Sequence, residues 1–409
     1  TGETPLMTCA RSGSAEAVRM LLVRGANVNA AEPVQNQTAL MWAAAQQHAN
    51  VVQVLIEANA DLRAHTKSGF TALHFAARAG DMESTRALVS GGVDVNIKSQ
   101  PDSENGRGQG ARGAGAGRGT AAGRAGAARG AGALVARGDT NSAGSTPLLV
   151  ATVRGHVPLA LFLLDHGADP NVLDGGFTPL HWAAGTWENG LANPVYGFVD
   201  PMGGIPDRQA KLQLVKALLA HGANPNLQMT ARPPGYGGTG TGGYNDAAGA
   251  TPFVVAANAA DVEMMRILLA AGADPHLVTK TNSNALLAAT GLNRGIGEFI
   301  DDEEPALEAV KFLLDVGVDA KAATTYNENA LFGPSYRGWN RMLELLIEKG
   351  AHVNTVNKAG VTPWLAASGF GDRLGGVLFN KAGADILLEH GADPKLGHPC
   401  QAQNRCRPE

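Results

Sequence analysis

The chain has 409 residues, of which 44% are hydrophobic and 17% are charged, and its formal net charge is −4 at pH 7. This length exceeds the usual size of one compact core, so two or three domains or a single repeat array are the options. The small negative charge argues against general nucleic-acid binding, which needs a concentrated basic face, and without a long apolar run no transmembrane helix is expected.

An internal repeat begins at the first residues and continues almost to the end of the chain. A threonine or asparagine before an apolar segment recurs with a basic spacing of 33 residues, and longer spacings are one period plus an insertion. The equivalent positions are Thr4, Thr38, Thr71, Thr146, Thr178, Thr251, Asn284, Asn329 and Thr362. Most units close on a glycine that is followed by a short polar turn, as at Gly25, Gly167, Gly222, Gly272, Gly350 and Gly391.

The physics of one repeat can be read from the unit that begins at Thr178. Thr178 is expected to cap a helix N-terminus, and Pro179 takes the first helical position, where its missing N–H costs nothing. A second helix with apolar residues at helical spacing follows, and a closing glycine such as Gly272 supplies the left-handed conformation that ends it. One such helix pair cannot bury its apolar faces alone, whereas a stack of pairs can.

The tandem Thr-Pro-Leu-His-x-Ala-Ala and Gly-Ala-Asp-Pro-Asn motifs resemble the ankyrin-repeat family, and the inserted Gly-rich units are most similar to exported bacterial members. The resemblance implies an all-α solenoid of about nine helix–turn–helix units with β-turn fingers. Repeats 1–3 are expected in residues 1–98 and repeats 4–9 in residues 144–394. Asn284 and Asn329, which replace the motif threonine, are expected to cap helices, and Asn59 is expected to replace the closing glycine of the second unit.

The largest of five insertions, residues 99–143, consists mainly of glycine, alanine and arginine. It has almost no large apolar residue, so its composition predicts a flexible linker. The arginines give it an RNA-binding-like composition, but aromatic residues for base stacking are absent. We therefore expect no specific nucleic-acid partner.

Aromatic residues mark the next two insertions, near residues 186–208 and 229–248. They hold Trp187, Tyr196, Tyr236 and Tyr244, which are residue types that often anchor interfaces. These side chains either contact a partner or pin the long loops onto the solenoid, and the sequence leaves both interpretations open.

The last insertions lie near residues 292–304 and 372–383, and a tail follows at 395–409. The acidic run at 301–304 lacks the alternating ligand spacing of a calcium loop, so a favourable interaction with the start of a helix is predicted instead. In the tail, Cys400 and Cys406 are six residues apart and form a candidate disulfide for an oxidising compartment. Too few ligands are nearby for zinc, so no metal is expected. Cys9, in a helical pattern, is expected to be a buried, inert thiol.

Catalytic motifs are absent from the sequence. It contains no nucleophile elbow, no phosphate-binding loop, no His-Glu-x-x-His and no Cys-x-x-Cys. His74 and His181 occupy the histidine position of the repeat motif, for which the resemblance implies a hydrogen bond to the neighbouring turn. We therefore expect no enzymatic activity, no cofactor and no small-molecule substrate.

The resemblance implies protein–protein recognition through the turn tips and the exposed positions of the first helices. The corresponding candidate residues are Arg11, Ser12, Gln46, Arg78, Arg154, Asn258, Tyr336, Arg337 and Phe370. Arginine recurs among them and suggests a mildly cationic groove. The predicted function is a non-enzymatic protein-interaction scaffold.

Head-to-tail self-assembly into an oligomer or extracellular filament is the alternative function. The chain opens almost directly at a helix start, so either a capping segment has been lost or the first unit packs on another copy. Met7, Val18, Leu21 and Leu22 are expected to contribute to the apolar face of that unit. The absent initiator methionine and the cysteine pair in the tail favour a periplasmic or extracellular location, with the cytoplasm as the alternative.

Overall fold

A computed structural model describes residues 2–100, 144–186, 204–205, 207–231, 248–292, 303–370 and 379–397. These residues form eighteen helices in nine consecutive pairs, with no β-strand among them. Isolated antiparallel bridges close three of the turns between pairs, at Ala31–Thr38, His65–Thr71 and Ala323–Asn329. The prediction of an all-α solenoid fold built from nine helix–turn–helix units is confirmed.

The chain divides into two compact units. The first comprises Thr1–Gly175 and Pro201–Ala210, and the second comprises Gly176–Asp200 and Lys211–Glu409. The first unit contains α1 (Pro5–Ser12), α2 (Ala15–Val23), α3 (Ala39–Ala45), α4 (Ala49–Glu57), α5 (Ala72–Ala79), α6 (Met82–Ser90), α7 (Pro147–Val153) and α8 (Val157–Asp165).

The second unit contains the remaining five helix pairs, although the first three residues of α10 group with the first unit. Its helices are α9 (Pro179–Ala184), α10 (Arg208–Ala220), α11 (Pro252–Asn258), α12 (Val262–Ala270), α13 (Ala285–Ala289), α14 (Glu303–Asp315), α15 (Phe332–Arg337), α16 (Asn340–Glu348), α17 (Pro363–Ala367) and α18 (Lys381–Glu389). In both units the odd-numbered helix of each pair is called the first helix and the even-numbered one the second helix.

First helices pack on first helices, and second helices pack on second helices. In the first unit α1, α3, α5 and α7 contact one another in sequence, as do α2, α4 and α6. In the second unit α9 contacts α11, α11 contacts α13, and α15 contacts α17. The leucine of the motif is fully buried in each pair of the first unit, at Leu6, Leu40, Leu73 and Leu148. The core of each unit therefore lies between its two rows of helices.

The predicted helix caps are observed at most motif positions. The Thr4 hydroxyl accepts a hydrogen bond from the Met7 amide at 3.3 Å. Asn284, which replaces threonine, accepts from the Leu287 amide at 2.9 Å, so the prediction that it caps α13 is confirmed. Asparagine serves here because its side-chain oxygen reaches the same free amide.

The prediction that Asn329 caps a helix is wrong. Helix α15 begins three residues later, at Phe332, and its N-cap is Leu331. A helix that began at Ala330 would place Pro334 in its second turn, where the missing N–H would forfeit a backbone hydrogen bond. Starting at Phe332 puts that proline in the first turn, where no N–H is needed. Asn329 accepts from the Leu331 amide at 3.1 Å, just before the helix, and donates to the His352 carbonyl of the next turn at 2.8 Å.

The ends of the second helices follow the predicted left-handed turn. Gly272 has φ 88°, and Asn59, which replaces glycine, has φ 60°. Asparagine tolerates this conformation better than other non-glycine side chains, so the second repeat closes as predicted without glycine.

An asparagine that ends the closing motif of one repeat links it to the next repeat. Asn354 donates from Nδ2 to the Gly391 carbonyl at 2.9 Å and accepts from the Asp393 amide at 2.8 Å. Asn96 and Asn226 make the same pair of bonds to the closing turns that follow them. Each of these side chains satisfies one donor and one acceptor of a neighbouring backbone, and so fixes the spacing between repeats.

Two expectations for the first helix pair, α1 and α2, are corrected by the structure. Met7 and Val18 are buried, with 1% and 0% exposure, so they do not lie on an open face of the first repeat. The exposed apolar side chains there are Met20 and Val23 on α2, at 51% and 88%. Cys9 is half-buried rather than buried.

The acidic run near α14 stabilises the next second helix as well as its own. Glu303 and Glu304 form the first turn of α14, while residues 301 and 302 lie outside the described ones. The Glu303 carboxylate accepts from the Met342 amide at 2.8 Å, near the start of α16. Glu304 pairs with Arg341, and this hydrogen bond raises the pKa of the Arg341 guanidinium. The carboxylates thus supply the cap that Trp339, the N-cap of α16, cannot provide.

Candidate functional site

The predicted partner-binding residues of the first unit all lie at the carboxyl-terminal ends of first helices. Arg11 and Ser12 are the last residues of α1, Gln46 follows α3, Arg78 is in the last turn of α5, and Arg154 follows α7. Because these four helices pack side by side, their ends are neighbours. These five residues are called the arginine row, and all of them are half-buried or exposed.

Histidines from the next repeats hold the backbone of this row. The Nε2–H of His48, at the start of α4, donates to the Arg11 carbonyl at 3.0 Å. The Nε2–H of His156, at the start of α8, donates to the Arg78 carbonyl at 3.0 Å. Burial is the main reason that the pKa of His156 is lowered. The backbone carbonyls of Arg11 and Arg78 are therefore fixed by side chains of the following repeats.

Arg11 shows what one of these guanidinium groups can bind. It lies over the Trp42 ring, 5.3 Å from the ring centroid. It also donates from Nη1 to Glu3 Oε1 at 3.1 Å. The group therefore holds an aromatic face and a carboxylate at the same time, as planar guanidinium groups often do.

In the second unit, four candidate residues are among those that the structure describes, and three of these lie on the last repeats. Tyr336 and Arg337 end α15, and Phe370 follows α17 with 38% exposure. The Tyr336 ring packs on a cluster that contains Phe332 and Leu365.

Arg337 and Asn258 are less available than the sequence suggests. Arg337 donates from Nε to the Gly291 carbonyl at 3.2 Å and lies over the Trp339 ring. Asn258 ends α11, but its Oδ1 is buried and has no hydrogen-bond partner among the residues described. Neither side chain offers a simple polar contact to a partner.

Six further candidate residues fall outside the described part of the chain, and their placement stays a prediction. They are the aromatic residues of the insertions and the two cysteines of the tail: Trp187, Tyr196, Tyr236, Tyr244, Cys400 and Cys406. Most of the 99–143 insertion lies outside the described residues as well.

His74 and His181 are built into the fold in the way that the motif implies. His74 Nδ1 contacts the Thr71 hydroxyl at 2.9 Å, and its Nε2–H donates to the Ser145 carbonyl at 2.9 Å. His181 makes the equivalent contacts with Thr178 at 2.8 Å and with the Leu227 carbonyl at 3.0 Å. Burial lowers the pKa of each ring to about 4, so both rings are neutral at pH 7. Fully buried and occupied at both nitrogens, they connect repeats and are not exposed to a substrate.

In the described part of the chain, carboxylates within helices are confined to the second helices, whereas basic residues occur on both kinds of helix, for example Arg11 on α1 and Arg19 on α2. The nine first helices in the described part of the chain contain no aspartate or glutamate, and Arg11, Arg78 and Arg337 are their basic residues. Every second helix except α10 carries at least one carboxylate. The sequence pattern indicates the arginines directly, whereas the distribution of carboxylates requires the helix bounds that the structure supplies.

Two kinds of site receive no support from the described residues. Over the ranges in the structure, no group of three or more His, Cys, Asp or Glu is placed to hold a metal ion. None of the helices in these ranges is long and apolar enough to cross a membrane.

Comparison with known proteins agrees with this architecture. The family described as "Ankyrin repeats (3 copies)" matches residues 6–99 and 121–190, and the family "Ankyrin repeat" matches residues 175–229 and 248–280. The chain belongs to the ankyrin-repeat family. Ankyrin repeats are typical protein–protein interaction modules and are generally not enzymes.

The curated relatives resemble this ankyrin-repeat chain over short stretches. The "Ankyrin repeat and KH domain-containing protein mask-1" of Caenorhabditis elegans is 36% identical over 24% of this chain and 4% of its own length. The B-cell lymphoma 3 protein homolog of Mus musculus is 35% identical over 24% of this chain and 22% of its own. The nuclear factor NF-kappa-B p105 subunit of Gallus gallus is 32% identical over 44% of this chain and 17% of its own length. The chain thus spans less than a quarter of each of these relatives.

Among solved structures, the human ASB11 ankyrin repeat domain aligns with 69% of this chain and 90% of its own chain. The sequence identity is 20% and the TM-score is 0.42.

Proposed function

We propose that this ankyrin-repeat chain is a non-enzymatic scaffold that binds a protein partner across the open ends of its first helices. The arginine row is the observation that carries the proposal. Its side chains sit at the carboxyl-terminal ends of adjacent first helices, seven or eight residues after the motif threonine, with histidines holding the backbone beneath two of them. A partner that lies along the row would contact several repeats at once.

An unbiased selection tests this function without assuming anything about the partner's charge. The full chain is used to select binders from a random-peptide display library. The selected peptides are then measured against variants with a bulky residue on the row, Ser12→Trp and Gln46→Trp. Both positions are exposed, so the tryptophans should block binding without disturbing the core.

Arg19→Trp provides the matched control, since Arg19 is exposed on the second helix α2. The proposal expects loss of binding for the two row variants and unchanged binding for the control. Peptides that bind all three variants equally would show that the partner surface lies elsewhere.

Self-association is a second candidate function, supported by the exposed apolar side chains of α2. Met20 and Val23 are 51% and 88% exposed, and a neighbouring copy could cover them. Sedimentation velocity of the chain and of a Met20→Glu, Val23→Lys variant tests this. A monomeric parent at high concentration, or an assembly that persists in the variant, would exclude it. Met7 is not a suitable site for this test because it is buried and its replacement would disturb folding.

Export from the cytoplasm is proposed on the cysteine pair of the tail. A disulfide between Cys400 and Cys406 would be stable in an oxidising compartment and is rare in the cytosol. The mass of the native chain with and without reductant measures whether the bond is present.

A further inference from the structure

We propose that the arginine row binds an acidic polypeptide segment, an inference that rests on the protein-binding function proposed above. The row contains Arg11, Arg78 and Arg154, and the first helices that carry it, α1, α3, α5 and α7, contain no carboxylate. The chain as a whole is slightly acidic, with a net charge of −4, so this face differs in sign from the rest of the protein. Complementary charge on a partner would favour this face over the second helices.

The spacing of the arginines sets the spacing of carboxylates in the partner. Packed helices lie about 10 Å apart, so the ends of α5 and α7, which carry Arg78 and Arg154, are separated by one such step. Arg11 and Arg78 are separated by two steps, or about 20 Å, because α3 lies between α1 and α5. An extended chain advances about 3.3 Å per residue. Carboxylates about six and then about three residues apart would therefore reach all three arginines.

Apolar side chains lie one helical turn before the row and form its base. Trp42 precedes Gln46 by four residues, Phe75 precedes Arg78 by three, and Val150 precedes Arg154 by four. Residues at these separations share a helix face. Their exposed fractions are 8%, 5% and 8%, so they belong to the core beneath the row and offer little surface to a partner. The side chains of the row itself are therefore the groups that a partner can reach.

Glu3 shows the proposed contact within the chain itself. Its carboxylate accepts from Arg11 at 3.1 Å while the guanidinium remains over Trp42. Both side chains are partly exposed, at 37% for Arg11 and 27% for Glu3, so this internal ion pair is weak. A carboxylate of the partner can replace Glu3 at the same position. Removal of the Glu3 charge should therefore strengthen partner binding, whereas loss of an arginine should weaken it.

A protein partner fits this face better than a nucleic acid. Binding of single strands generally needs accessible aromatic faces on which bases can stack. The aromatic residues at the base of the row, Trp42 and Phe75, are more than nine-tenths buried. The carboxylate contact at Arg11 is the interaction that the structure displays directly.

Fluorescence anisotropy with the full chain and a labelled synthetic peptide tests the proposal. The probe peptide has about twelve residues, with three glutamates spaced about six and three residues apart among leucines and serines. The reference peptide has glutamines at the same positions. At about 50 mM sodium chloride the acidic peptide should bind about tenfold more tightly, and the advantage should shrink to about twofold or less at 500 mM.

Substitutions in the chain locate the binding site. Arg78→Gln and Arg154→Gln should each weaken binding of the acidic peptide by about three- to fivefold, and Glu3→Gln should strengthen it by a similar factor. Arg19→Gln on α2 is the matched control, with the same change of charge outside the row, and should leave the affinity unchanged. Thermal unfolding followed by circular dichroism checks that each variant is folded.

Three outcomes would overturn the proposal. The first is equal binding of the acidic and reference peptides, and the second is an Arg19→Gln effect as large as that of the row variants. The third is a single-stranded oligonucleotide that competes with the peptide and shows the same arginine dependence, which would assign the face to a nucleic acid. If the library selection still yields binders that Gln46→Trp blocks, the row is a protein-binding site and only its proposed acidic specificity is wrong.

Discussion

Acidification from pH 7 to pH 5 should destabilise both units, because each contains one buried neutral histidine. His74 lies in the first unit and His181 in the second, and burial lowers the pKa of each ring to about 4 from an ordinary value of 6.5. In the unfolded chain the same rings take up protons as the pH falls through about 6.5. The unfolded state thus binds more protons in this range, and stability falls as the pH falls.

The size of the effect follows from the two pKa values. The stability contributed by the neutral ring is complete above about pH 6.5 and is lost as the pH decreases through about 4. One pKa unit corresponds to about 1.4 kcal/mol, so each histidine should cost roughly 2 kcal/mol between pH 7 and pH 5. Other groups also titrate in this interval, so the contribution of one ring has to be isolated by substitution.

Urea unfolding followed by circular dichroism at pH 7 and pH 5 measures this contribution in His181→Gln. The variant should be less stable than the parent at pH 7, since it loses the bonds to Thr178 and to the turn at Leu227. Its change in unfolding free energy between the two pH values should be smaller than the parent's by about 2 kcal/mol. His352→Gln, at an exposed histidine, should keep the full pH dependence. Equal pH dependence in all three proteins, or an NMR titration midpoint above pH 6 for His181, would refute the reasoning.

Three further predictions concern a close backbone approach at Gly69, the cap supplied by Glu303 and the cysteine pair of the tail. Alanine at Gly69 would place its Cβ 2.1 Å from a backbone nitrogen of the next turn, whereas Gly25 has nothing within 4 Å, and both have φ 84°. Gly25→Ala should therefore cost about 1 kcal/mol of unfolding free energy and Gly69→Ala at least about 2 kcal/mol more, measured by urea denaturation; equal losses would contradict the close approach. Glu303→Gln should weaken the cap on α16 and so lower the unfolding free energy by about 1 kcal/mol, which is measured as a lower melting temperature. An unchanged melting temperature would show that the cap is unimportant. The mass of the native chain should rise by two hydrogen atoms, about 2 Da, on reduction if Cys400 and Cys406 are bonded; labelling should then find one free thiol before reduction, at Cys9, and three free thiols would exclude the bond.

The periodic features of this fold were predictable from the sequence because each depends on one residue and its near neighbours. A threonine cap needs only the amide three residues ahead, and a left-handed closing turn needs only glycine or asparagine, so Asn284 and Asn59 were interpreted correctly. The buried histidines were also predictable, since the motif places them beside the turn of the next repeat.

Features that depend on two repeats at once were not predictable in the same way. The sequence gives no sign that Glu303 reaches the amide of Met342 in the following repeat. Exposure at α1 and α2 was also misjudged, because the helical pattern shows which residues are apolar but not which side the adjacent repeat covers. Asn329 departs from the prediction for a local reason, since Pro334 favours a helix start at Phe332, three residues later.

The positions that hold the repeats together differ from those proposed to bind the partner. Threonine, histidine and asparagine side chains connect backbone groups within and between repeats, and their replacement would leave buried donors or acceptors without partners. Exposed positions at the ends of first helices, such as Gln46, carry no such constraint from the fold, and surface substitutions of this kind usually change stability little. Their side chains can therefore vary with the partner while the stack is preserved. In the first unit those exposed or half-buried positions hold arginine, serine and glutamine and no carboxylate, and this composition is the observation that favours an acidic partner.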